Sequence, residues 1–273
     1  TEYLFLTRTE FPTFDEQYRT YSSILRRMGK KPVVIRTFDL GGDKFPGASG
    51  KTYELNPFLG WRAIRVCLDR PDIFKIQLKA LLKASRWGNL SIMIPMISNY
   101  EELVATKEII EECKRELRNK RVKFSEDIPL GVMLEVPSAV MIAEYLAREV
   151  DFFSIGTNDL IQYTMAVDRG NELLSKLYQS FHPSVLSLIK SAVSAAHGHR
   201  LKVSVCGEMA ADPMGAILLA GLGVDELSVS FQSVGVIKKI IRSINYTGAR
   251  QIAENALKMR SQAEIMGYLK NEF

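Results

Sequence analysis

The stretch that decides the fold is LGVMLEVPSAVMIAEYLAREVDFFSIGTNDL, residues 130–160. LGVMLEV (130–136) and FFSIGT (152–157) are apolar on consecutive positions, as strands covered on both faces are. Between them, Ser138 follows Pro137 and opens the helical run SAVMIAEYLARE. Strand, helix and strand in this order make a parallel βαβ unit.

Working outward, the same alternation continues. VVIRTF (33–38), SIMIPM (91–96), VSVCGE (203–208) and ELSVS (226–230) read as further buried strands. Ser98 with Glu101 reads as a capping box opening a helix to about Arg118, with Glu111 and Arg115 as an i, i+4 pair. The apolar stripe Leu103, Ile110, Cys113, Leu117 gives that helix its buried face. Ser261 and Glu264 form a second box near the C-terminus. Six clear strands, a weaker one in WRAIRVCL (61–68) and one truncated at the N-terminus predict a (β/α)8 TIM-type barrel rather than an open doubly wound sheet. Residues 1–273 are expected to form one barrel domain with extra C-terminal helices.

Composition sets bounds on function. The 273 residues are 47% hydrophobic and 25% charged, which excludes a disordered or fibrous chain. No apolar run approaches the ~20 residues that cross a bilayer, so no membrane insertion is expected. TEYLFLTRTEF (1–11) carries charges too early for a signal peptide and reads as a start within a domain. Net charge is +5, but acids are interspersed among the bases, which argues against nucleic acid as partner and leaves room for an anionic small molecule. The densest basic run, KKIIRS (238–243), has isoleucines at helical spacing and reads as a solvated helix flank. Cys67, Cys113 and Cys206 are too few for a disulfide framework, which points to a reducing, cytoplasmic setting.

Polar residues gather where strands end: Arg36 and Asp39, Glu135, Thr157-Asn158-Asp159, and Cys206-Gly207-Glu208. In a parallel barrel all strand C-termini meet at one rim, where catalytic residues sit. Glu135 and Asp159 are two carboxylates of the kind Mg2+ receives from a protein, with an acid/base couple as the competing reading. Arg36, Arg62 and Arg169 tip the choice, because guanidinium forks match phosphate and carboxylate oxygens. GASGKT (47–52) imitates a phosphate loop, but Phe45 stands where its first glycine belongs, so it reads as a loop over the barrel mouth. His197 and His199, two apart on a helix, share no face for a metal.

IRTFDLGGDK (35–44), NPFLGWRAIR (56–65), FFSIGTNDLIQYTMAVDRGN (152–171) and CGEMAADP (206–213) together resemble the phosphoenolpyruvate-binding domain of enzyme I of the bacterial sugar phosphotransferase system. The resemblance runs from Thr1 to about Ser230 and more loosely beyond. It implies a barrel that binds phosphoenolpyruvate and Mg2+ at its C-terminal rim and forms a homodimer. On the matching positions, Glu135 and Asp159 would hold Mg2+. Arg36, Arg62, Asn158, Asp159 and Arg169 would bind substrate, and Cys206 would protonate the enolate carbon. Phosphoryl transfer leaves the protein mainly positioning and charge neutralisation, and an ordinary thiol keeps its proton at neutral pH.

In that family an arginine directly before the Thr-Glu that opens this sequence belongs to the substrate site, and the phosphorylated histidine lies in an N-terminal domain. Arg8 and His182 match neither. The chain is therefore expected to bind substrate weakly and not to complete transfer alone; the full protein would pass the phosphoryl group to its own histidine and then to a phosphocarrier protein. Ala211 stands where glycine is commoner in the family. Two other readings of the same residues are a Mg2+-dependent carbon–carbon lyase acting through a pyruvate enolate, and a non-enzymatic ligand-sensing dimerisation domain.

Overall fold

The computed structural model of the chain describes residues 1, 4–5, 10–41 and 55–272. GASGKT, Arg8 and most of the truncated N-terminal strand lie outside them. The chain divides into two compact units, Thr1–Val132 and Met133–Phe273.

In the first unit, helix α1 (Phe14–Met28) starts at a full capping box: Thr13 accepts from the Glu16 amide while Glu16 accepts from the Thr13 amide. Strand β1 (Pro32–Arg36) follows and pairs in parallel with β2 (Asn89–Ile94). Helices α2 (Ile64–Asp69) and α3 (Pro71–Ala84) come between them. Phe74, Leu78, Leu81 and Leu82 of α3 are fully buried, at the i, i+4, i+7, i+8 spacing of one helix face. Beneath the end of β1 runs a buried line of neutral hydrogen bonds. The Phe38 amide donates to Gln77 Oε1, Gln77 Nε2 to the Tyr21 hydroxyl, that hydroxyl to Gln17 Oε1, and Gln17 Nε2 to the Pro12 carbonyl. Every side chain in it meets a partner, which buried polar groups require.

Helix α4 (Tyr100–Asn119) buries Leu103, Ile110, Cys113 and Leu117 as the stripe predicts. Its cap differs: Asn99 is the N-cap and Glu102 the reciprocal partner, one residue beyond Ser98 and Glu101. The Glu102 amide donates to Asn99 Oδ1 at 2.8 Å and the Asn99 amide donates to the Glu102 carboxylate at 3.3 Å, which closes the box; the Ser98 amide donates to the same carboxylate at 2.6 Å. Glu111 reaches Lys114 rather than Arg115.

The strand expected in WRAIRVCL is a helix. Only Arg62 keeps an extended pairing, a single antiparallel bridge to Gly41. Ala63 then turns at φ 50 and α2 begins, burying Ile64, Val66 and Cys67. A short apolar run fits strand or buried helix equally, and here the turn decides.

Strand β3 (Leu130–Leu134) begins in the first unit, where Leu130, Gly131 and Val132 pair in parallel with β2. In the second unit β4 (Phe152–Gly156) pairs in parallel with β5 (Lys202–Cys206), and β5 with β6 (Glu226–Ser228). The strand order follows the chain, β1 to β6. All six strongest strands of the sequence are present, and the fold is α/β with a parallel sheet; six strands, not eight, stand among the described residues.

The run SAVMIAEYLARE is not one helix. It is α5 (Pro137–Met141) and α6 (Ala143–Leu146), parted where Ile142 leaves helical geometry at ψ 15. Helix α7 (Thr157–Met165) follows β4 directly. Helix α8 (Pro183–Gly198) buries Val185, Leu186, Ile189, Ala192, Val193 and Ala196 along one face. After β5 come α9 (Glu208–Ala211) and α10 (Pro213–Leu222), the latter buried nearly all round. Three more helices end the chain: α11 (Phe231–Ser243), α12 (Tyr246–Ala256) and α13 (Gln262–Glu272), the last two being the extra C-terminal helices. The Ser261 hydroxyl accepts from the Glu264 amide at the head of α13, as its capping motif predicts. KKIIRS lies on α11, where Ile237 is the buried residue. No described helix is long and apolar enough to cross a membrane.

Candidate active site

In the first unit the polar cluster sits just beyond β1. Asp39 is its centre. Arg62 grips that carboxylate with both arms, Nε to Oδ1 at 3.0 Å and a terminal nitrogen to Oδ2 at 2.7 Å. Arg36, the last residue of β1, approaches the same Oδ2 at 3.5 Å. Arg62 is 8% exposed, so its charge is held by a bidentate partner rather than by water. The bridge to Gly41 fixes its backbone. Two guanidinium groups share one carboxylate. Cys67 lies close by, fully buried, and burial followed by the Asp39 charge drives its thiol pKa well above the usual value.

In the second unit three strand ends carry the remaining residues. Glu135 follows β3 and is 1% exposed; Asp159 stands in the first turn of α7, immediately after β4, and is 6% exposed. Their placement on neighbouring segments has a cause in Gly156. A side chain there would put its Cβ 2.6 Å from Glu135 Oε2, so only glycine leaves room for the carboxylate beside β4. Thr157 donates its hydroxyl to the Cys206 carbonyl at 2.8 Å, joining the head of α7 to the end of β5. Asn158 uses its side-chain oxygen to accept the Glu208 amide at 3.0 Å and its backbone carbonyl to accept the Tyr178 hydroxyl at 3.1 Å. Gly207 makes the turn between them at φ 108, a conformation open to glycine alone in practice.

Cys206 is half-buried, with its Sγ 3.6 Å from the Ile155 carbonyl and 3.8 Å from the Ser154 hydroxyl. Arg169 is exposed, on the turn after α7. Burial pushes the Tyr178 hydroxyl up to about 12, opposed by Arg169 and assisted by Glu208 and Asp159, which places all three charges in its field. Tyr178 therefore keeps its proton for the bond to Asn158.

The second unit thus brings Glu135, Asn158, Asp159, Arg169 and Cys206 to strand ends and the turns after them, and the first unit brings Arg36 to Arg62. Sequence reasoning missed Asp39 as the anchor of both arginines, and missed Thr157, Tyr178 and Gly156 as supports. The signal for Gly156 was present as the glycine between FFSI and TND; Tyr178 lay in a segment with no periodic pattern. No three His, Cys, Asp or Glu side chains gather as a metal site among the described residues. Two buried carboxylates still suit Mg2+, which keeps waters and substrate oxygens in its other positions. His197 and His199 pair with Asp225 and Glu144 instead of each other.

Residues 1–246 match the family described as PEP-utilising enzyme, PEP-binding domain, and the chain belongs to that family. A phosphoenolpyruvate-protein phosphotransferase of Haemophilus influenzae is 49% identical over 97% of this chain and 46% of its own length. One of Priestia megaterium is 46% identical over 100% of this chain and 48% of its own length. The chain thus spans about half the length of the curated relatives it matches. Among solved structures, a citrate lyase from Burkholderia xenovorans overlays with a TM-score of 0.47 and 16% identity, covering 72% of this chain and 66% of that one.

Proposed function

We propose that this chain is the phosphoenolpyruvate-binding part of a phosphoenolpyruvate–protein phosphotransferase. The observation that carries the reading is the pair of buried acids, Glu135 and Asp159, at successive strand ends in a chain of this family. Their hard oxygens would hold Mg2+, which when bound would neutralise phosphate and enolate charge. Arg36, Arg62 and Arg169 bind the anionic oxygens, and Asn158, tethered through its own carbonyl and side-chain oxygen, keeps its amide nitrogen for the ligand. As the phosphoryl group leaves, the enolate carbon takes a proton from the Cys206 thiol and pyruvate forms. In the full protein a histidine of an N-terminal domain accepts the phosphoryl group and passes it to a phosphocarrier protein, in a cytoplasmic homodimer that starts sugar uptake.

Calorimetry with phosphoenolpyruvate, with and without Mg2+, tests this. The expected result is Mg2+-dependent heat that Glu135→Ala abolishes while the circular dichroism spectrum is unchanged. Heat that persists in Glu135→Ala removes the metal assignment. Pyruvate released from a hydroxy-keto acid would replace transfer by lyase chemistry, and ligand binding with no phosphorylated protein would leave a sensor.

A further inference from the structure

Gln162 lies on α7 and is 4% exposed. Its backbone carbonyl accepts the amide of Ala166, the helix cap, and that of Val167 at 3.0 Å. Its side-chain Oε1 accepts the amide of Arg169, also at 3.0 Å. One residue therefore holds the chain at three points as it leaves the helix, through a cap whose φ of 53 lies in the left-handed region. Beyond it, Asp168 Oδ1 accepts the Gly170 amide at 2.7 Å, and the Asp168 carbonyl accepts that of Asn171 at 3.1 Å. The backbone of Arg169 is fixed from both sides.

The other end of the same side chain is orphaned. Gln162 Nε2 is buried and has no hydrogen-bond partner among the described residues. A buried donor left unmade is destabilising, and a leucine of similar size would avoid that cost. The contact this buried side chain makes is therefore the one from its oxygen to the Arg169 amide. We propose that Gln162 is a positioning residue: its hold on the Arg169 amide sets the direction in which that guanidinium leaves the turn, so that it meets the substrate's anionic oxygens already oriented. The inference rests on the function proposed above.

The test compares the chain with Gln162→Leu and Gln162→Glu, the second of which keeps an oxygen acceptor. Hydrogen exchange at the Arg169 amide is expected to speed up about tenfold in Gln162→Leu, as loss of one hydrogen bond implies, with thermal stability equal or higher. Affinity for phosphoenolpyruvate with Mg2+ is expected to fall about tenfold, and Gln162→Glu to restore both readings. Unchanged exchange at Arg169 overturns the proposal, even where the parent chain binds no phosphoenolpyruvate; absence of binding by the parent chain overturns the function instead. A loss of affinity that tracks a loss of stability, without rescue by Gln162→Glu, makes the residue merely structural and also overturns it. Gln162→Met supplies the same comparison should Gln162→Leu not fold.

Discussion

The arginine cluster beyond β1 and the head of α7 solve one problem, holding polar side chains still, by different physics. The first is built from charge: one buried carboxylate, Asp39, takes both arms of Arg62 and the approach of Arg36. The second is built from neutral contacts: a hydroxyl on a carbonyl at Thr157, the Glu208 amide on the Asn158 side-chain oxygen, and two glycines that admit close neighbours. Charge holds firmly but leaves a costly remainder when one partner is lost. Neutral hydrogen bonds and missing side chains cost little to bury and tolerate no added atoms.

The largest expected effect breaks the neutral region. In Gly207→Ala the new Cβ would lie 2.3 Å from Thr157 Oγ1, at a φ of 108. Overpacking and backbone strain together should cost about 4 kcal/mol, read as a shift in the urea midpoint; a change under about 1 kcal/mol would show that this turn relaxes freely. Asp39→Asn comes next, breaking the charged region. It leaves Arg62 buried against an amide, and about 3 kcal/mol of destabilisation is expected from urea melts. Equal stability would mean that water, not Asp39, satisfies the arginines.

A smaller effect sharpens the comparison through pH. The thiol of Cys67, buried beside Asp39, holds its proton well above the usual range, whereas in the unfolded chain it ionises near ~8.5. Above that pH the unfolded state is favoured, so its contribution is intact below ~8.5 and lost as pH rises, at about 1.4 kcal/mol per pH unit at most. Tyr178 behaves likewise, but only between its ordinary value near ~10 and about 12. Alkaline melts should therefore show Cys67→Ala flattening the decline from pH ~8.5 upward, and Tyr178→Phe only above ~10. Coincident onsets for the two variants would erase the distinction.

Much of this was legible before any coordinates. Continuous apolar runs such as FFSIG marked the strands, and β3 and β4 are buried on consecutive positions as such runs imply, whereas Val34 of β1 is 51% exposed and β6 is at most half-buried. Glu135, Asp159 and Cys206 were legible as polar residues ending those runs. What escaped had local causes. WRAIRVCL has no pattern that separates strand from buried helix, and the positive φ at Ala63 that settles it carries no glycine to announce it. Ile142 interrupts a run whose helical spacing is otherwise unbroken. Asp39 was visible as a rim acid three residues after Arg36, but its hold on Arg62, far along the sequence, needed the fold.

The buried line from Phe38 through Gln77, Tyr21 and Gln17 to Pro12 has a mechanical consequence. It works as a guy-rope: the loop bearing Asp39 is staked to the first turn of α1 and to the flank of α3. Slack at either stake is transmitted to the guanidinium pair without any change in the residues that touch it. Exchange at the Phe38 amide is accordingly a gauge of how tightly those two helices are docked.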